Sequence, residues 1–103
     1  MLVPFRFTKG GRVKRRPVVI VSAAEYHQDR ADAIAIALTT NLSRSYFGDC
    51  LIDDWKFAGL PMPSLAKGVV ATIHRSQVER RLGTLTGDDM MRIERSLRDV
   101  MAL

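Results

Sequence analysis

A chain of 103 residues, 47% hydrophobic and 7% aromatic, is long enough to bury one core and too short for two, and its composition excludes a disordered tail. Sixteen Lys and Arg against eleven Asp and Glu leave a formal charge of +5, which favours an anionic partner: nucleic acid, an acidic protein or a membrane surface. The lone Cys50 allows no internal disulfide, no apolar run reaches bilayer length and no secretory leader is legible, so the expectation is a single cytoplasmic domain over residues 1–103 with no membrane partner.

Residues 1–7 alternate, with Val3, Phe5 and Phe7 on one face, and predict a half-buried edge strand in which Pro4 suits the edge. Residues 8–14 (TKGGRVK) carry a Gly pair among polar residues and predict a turn. Residues 14–22 read KRRPVVIVS: three cations, a proline, then four β-branched residues in succession. The run 18–21 predicts a strand buried on both faces, opened by Pro17, which has no N–H to donate. Residues 23–32 are polar and read as irregular. Residues 33–38 (AIAIAL) predict a third buried strand that ends at Thr39, Thr40 and Asn41. A fourth short strand is expected over 49–52, and 53–64 (DDWKFAGLPMPS) reads as a loop with one helical turn around Trp55. Residues 67–73 and 81–85 complete a set of five or six strands.

The last segment predicts a helix. Thr86 suits the N-cap with Asp89 three residues on, a capping box with Asp in place of Glu. Met90, Ile93, Leu97 and Val100 or Met101 recur on one face, while Asp88 with Arg92 and Glu94 with Arg98 stand four apart. With no helix expected between strands, the pattern points to a mainly β (α+β) domain or small barrel whose helix packs across the end of the sheet, not to a parallel α/β fold.

Absent motifs narrow the chemistry. There is no Gly-rich phosphate loop, no Cys pair and no His pair at metal-ligand spacing, so neither a metal nor another cofactor is expected. His27 and His74 are isolated and read as surface or hydrogen-bonded histidines, and Cys50 reads as a core residue. What remains is Lys14, Arg15 and Arg16 at the start of one strand, Thr39 and Thr40 at the end of another, and Lys67 at the start of a third. Brought to one rim, the guanidinium forks and hydroxyls would make a pocket for a phosphodiester. The same cations, simply left in water, would guard a strand edge against unwanted pairing.

The opening run LVPFRFTKGGRVKRRPVVIVS resembles that of the PemK/MazF family of toxin–antitoxin ribonucleases, in which a Gly-containing loop leads to an Arg-Pro dipeptide and a Val-rich strand. IAIALTTNL resembles the family's second buried strand ending in Thr, DDWKFAGLPMPS its Gly-Leu and Pro-Ser segment, and TIHRSQVERRLGTLTGDDM its closing strand and helix start. The four matches occur in order and cover nearly the whole chain. The resemblance implies a small SH3-like β-barrel of short strands, shared with the CcdB toxins, with a C-terminal α-helix. It also implies a homodimeric toxin, silenced by an acidic antitoxin, that cleaves single-stranded RNA with sequence preference and without a metal. Carried over by position, it implies catalytic roles for Arg16 of the Arg-Pro dipeptide and for Thr39 at the strand end. Arg15 and Lys67 stand where the family tends to place further cations, and with Thr40 and Lys14 they complete the expected substrate-binding set. His74 stands where many relatives have Asp and is read as a surface residue. Two other readings share the barrel: a non-catalytic, CcdB-like toxin aimed at a protein target, and an inactivated homologue that only binds RNA, with Trp55, Tyr46 or Phe47 stacking on bases.

Overall fold

The computed structural model describes the backbone of residues 2–78 and 81–103, and the side chains of all of these except 2, 4–9, 13 and 14. Its elements run β1 (Leu2–Lys9), β2 (Arg12–Ile20), α1 (Ala24–Asp29), β3 (Asp32–Thr39), β4 (Cys50–Ile52), β5 (Ser64–His74), a 3₁₀ turn (Arg75–Gln77) and α2 (Gly87–Met101). The strands form one antiparallel sheet in the order β1-β2-β3-β5-β4.

The β-branched run of β2 lies between two apolar layers. Val18 and Ile20 pack with Val3, Ala35 and Ile73 on one face. Val19 faces the other way, among Ile36, Leu38, Ile52 and Ala66 of the sheet and Ile93 and Leu97 of α2. Burial on both faces is what a strand without polar alternation requires. Pro4 pairs with Pro17 across β1 and β2, which confines the two missing backbone donors to one rung. The β2–β3 ladder begins one residue later, at Val18.

The sheet class and the C-terminal helix agree with expectation, but the barrel is not closed. β1 and β4 remain the edges of the described sheet. The 3₁₀ turn lies against β1, and α2 lies against β4 and β5, so each edge is flanked by an element that is not a strand.

Three local readings are corrected. The turn expected over 8–14 is only Gly10 and Gly11, both at positive φ, because the polar residues around them continue the β1–β2 ladder to Lys9 and Arg12. The segment 23–32 is not irregular: it holds α1, six residues with none buried and no side-chain N-cap, so a helix does intervene between strands. His27 Nε2 lies 2.5 Å from Ser22 Oγ, which also accepts from Ile34 N–H, tying α1 to β3. Residues 81–85 are not a strand; only Gly83 makes an isolated bridge. There the chain runs directly against another backbone, since a Cβ on Gly83 would stand 2.0 Å from the carbonyl oxygen of Ala58. Gly83→Ala is therefore expected to cost about 2 kcal/mol, read as a lower urea midpoint at constant slope; an unmoved midpoint would show that the two backbones separate freely.

Helix α2 starts as expected, with Thr86 Oγ1 accepting from Asp89 N–H. The Asp89 side chain does not complete the capping box. It is 1% exposed and accepts from the backbone N–H groups of Asp53 and Asp54, both at 3.0 Å, and from Arg92. Arg92 also bonds Asp53 at 2.7 Å, so its partners are Asp53 and Asp89, not the Asp88 that helical spacing suggests. The expected helical turn around Trp55 is present, closed by Ala58 N–H on Asp54 C=O. Among the described residues no helix is long and apolar enough to cross a membrane.

Candidate functional site

Strand pairing decides which of the singled-out residues meet. In the β2–β3 ladder Val18 pairs with Ala37, Val19 with Ile36 and Ile20 with Ala35. Continued for two more residues, this register sets Arg16 opposite Thr39. Thr39 is itself paired with Leu65 near the start of β5, so the start of the β2–β3 ladder, the end of β3 and the start of β5 share one rim.

That rim holds two neighbouring depressions. Arg15, Arg16, Pro17 and Thr40 line one of about 300 Å³, together with Leu60 and the buried Ser64. Thr39 and Lys67 line the other, of about 170 Å³, with Asn41, Arg44, Tyr46 and Asp49. Thr39 and Thr40, like Leu65 and Ser64, are successive residues and turn to opposite sides, whereas Arg15 and Arg16 both line the depression of Thr40, although the continued register sets Arg16 across from Thr39. The candidates thus flank the end of β3 and do not fill one pocket. The Lys14 side chain lies outside the described residues.

Each group keeps chemistry to spare. Thr39 Oγ1 accepts from Asn41 N–H at 3.1 Å, which leaves its own proton free to donate. Arg16 is exposed and Lys67 half-buried, and among the described residues neither forms an ion pair. The β1–β2 hairpin carries six cations and no carboxylate, against ten cations and eleven carboxylates in the rest of the chain. The whole positive excess therefore resides on the hairpin that contributes Arg15 and Arg16.

The bulge that shapes the smaller depression was not legible beforehand. Between Ile36 and Leu38 the β3–β5 register slips, because β5 spends Lys67, Gly68 and Val69 opposite the single Ala37. Asp49 holds this bulge, accepting from Gly68 N–H at 2.8 Å through one oxygen and from Tyr46 N–H at 2.9 Å through the other. The sequence offers Tyr46 only as one of three aromatics able to stack on bases and singles out neither Arg44 nor Asp49 as a site residue, because a loop has no periodicity. The available signal was Gly48-Asp49 just before a strand, a turn-closing pair.

Other candidates lie elsewhere. His74 ends β5, seven residues and roughly 20 Å of strand from Lys67, where Ser76 N–H bonds its Nδ1 in a local cap. Cys50 is half-buried against the core, as is Trp55, with Lys56 over its ring. Among the described residues no three His, Cys, Asp or Glu side chains converge as metal ligands would.

A family model described as the PemK-like, MazF-like toxin of type II toxin–antitoxin systems matches residues 1–101. No curated relative matches the sequence. Among solved structures the fold is similar to an endoribonuclease in complex with its cognate antitoxin from a Mycobacterial species, with a TM-score of 0.78, 22% identity, and 98% of this chain and 92% of that one covered. The Mycobacterium tuberculosis toxin MazF-mt6 is equally similar, with a TM-score of 0.78, 19% identity, and 98% and 97% covered. So is the MazE-MazF structure from Deinococcus radiodurans, with a TM-score of 0.78, 21% identity, and 99% and 91% covered.

Proposed function

Because the chain belongs to the PemK-like, MazF-like toxins of type II toxin–antitoxin systems, we propose that it is a metal-independent endoribonuclease that cleaves single-stranded RNA at the rim between β2, β3 and β5. The observation that supports this reading is the β2–β3 register, which ends at Val18–Ala37 and, continued for two residues, brings Arg16 and Thr39 to one rim, with further cations in the depressions on both sides. In the proposed reaction the 2′-oxygen attacks its own phosphorus and the 5′-oxygen leaves. The 2′-hydroxyl loses a proton and the 5′-oxygen gains one, giving a 2′,3′-cyclic phosphate and a 5′-hydroxyl. Arg16 stabilises the extra charge of the phosphorane, and Thr39 donates its hydroxyl proton to a phosphate oxygen. Arg15 with Thr40, and Lys67, hold phosphates on either side of the cut.

The test is digestion of a mixed-sequence single-stranded RNA in excess EDTA, followed by analysis of the product ends. The expected result is a set of 2′,3′-cyclic phosphate fragments, and an oligonucleotide with a single 2′-deoxy substitution at the cut remains whole. Intact RNA across many sequences, from folded protein, would turn the reading toward a toxin that acts on a protein target. The family membership also supports a cognate antitoxin; with Arg12, Arg15 and Arg16 of the hairpin exposed, an acidic antitoxin segment suits it. A homodimer working in the cytoplasm completes the proposal.

A further inference from the structure

Tyr46 is an exposed aromatic residue whose backbone and hydroxyl are all hydrogen-bonded. The residue is 61% exposed, yet Asp49 holds its backbone on both sides and Arg44 reaches its hydroxyl. Its N–H donates to Asp49 Oδ2, its carbonyl accepts from Asp49 N–H at 3.0 Å, and its hydroxyl accepts from Arg44 Nη1 at 3.1 Å. Asp49 is anchored in turn to the bulge of β5 through Gly68. An aromatic ring kept in water is disfavoured by its apolar area, and here no apolar neighbour lines the depression with it except Leu65. The remaining lining groups are those that recognise a nucleotide's polar part: the Thr39 hydroxyl, the Lys67 ammonium and the Arg44 guanidinium.

We infer that Tyr46, braced by Arg44 and Asp49, is the base platform of this enzyme: an unpaired base flanking the cut stacks on its ring while the adjoining phosphate lies on Lys67. The inference rests on the ribonuclease reading for its substrate. Stacking suits a single strand because every unpaired base offers a π-face, and a ring on a backbone already pinned by Asp49 loses less freedom on binding. Phe47 is more exposed still, at 79%, but it does not line the depression and serves as the internal control.

The experiment compares the parent protein with Tyr46→Ala, Tyr46→Phe and Phe47→Ala. For Tyr46→Ala the KM for RNA is expected to rise about tenfold, the order of one lost base stack, with kcat nearly kept. Sequencing of the product ends should show base preference flattened at one position beside the cut, whereas Tyr46→Phe and Phe47→Ala keep it. A substrate made abasic at that position should lose the same factor with the parent protein and nothing further with Tyr46→Ala. An unchanged KM and unchanged product ends for Tyr46→Ala overturn the platform while leaving cleavage in place. Should the parent protein cleave no RNA, anisotropy with a fluorescein-labelled single-stranded 2′-O-methyl RNA decamer tests the platform alone: weaker binding by Tyr46→Ala supports it and equal binding overturns it.

Discussion

Arg16→Ala is expected to lower the cleavage rate between about a hundredfold and a thousandfold, the range for removing one well-aimed donor to a developing oxyanion. The side chain is exposed and carries no ion pair among the described residues, so its loss should move stability by less than about 0.5 kcal/mol. Arg16→Lys keeps the charge but loses the planar fork, and should recover only part of the rate. Thr39→Val separates the two roles at the rim, since it removes the hydroxyl donor and leaves the guanidinium in place. Single-turnover cleavage beside a thermal melt gives both quantities. An Arg16→Ala protein that cuts at the parent rate would remove Arg16 from the site, whatever becomes of the fold.

Asp89→Ala should be the most damaging substitution to stability. The carboxylate is 1% exposed and accepts from two backbone N–H groups more than thirty residues away in sequence, besides Arg92. Truncation strands both N–H groups, so the charged hydrogen bonds that join α2 to the turn after β4 are lost, and it breaks the Arg92–Asp89 ion pair within the helix, leaving Arg92 with Asp53 alone. A loss of about 3 kcal/mol follows, or about 15 °C in a domain of this size. Helix propensity cannot supply the effect, since Ala is the better helix former. Asp89→Asn should lose nearly as much, because its amide nitrogen would face one of the same N–H donors. Urea unfolding at constant slope measures the loss, and a midpoint within error of the parent would show that α2 is held by its apolar face alone.

Elements that bury apolar side chains could be read from the sequence, because burial writes periodicity into it. β2, β3 and α2 are of this kind, and so is the Thr86 cap, a purely local signal. Solvated structure writes nothing of the sort. The outer reach of the β1–β2 hairpin looked like a loop because its residues are polar, and α1 was missed because none of its six residues is buried. Asp89 was placed correctly and misunderstood, since its partners at 53 and 54 become neighbours only through tertiary packing. At the site, residue types at strand ends suggested Arg16, Thr39 and Lys67. Their division between two depressions depends on register and on the β5 bulge, neither of which a one-dimensional pattern contains.

Confinement of the positive excess to the β1–β2 hairpin has a kinetic consequence. A body near neutrality with one cationic arm has a strong permanent dipole, so a polyanion approaching by diffusion turns the molecule arm-first before any short-range contact forms. Encounter and residence then answer to different parts of the chain. On the proposed function, added salt would slow arrival by screening the arm, while the lifetime of the bound state would answer to the two depressions that flank the end of β3. If the proposed RNA substrate and acidic antitoxin compete for this molecule, both would be drawn to the same arm, and the winner would be decided by how fast each leaves.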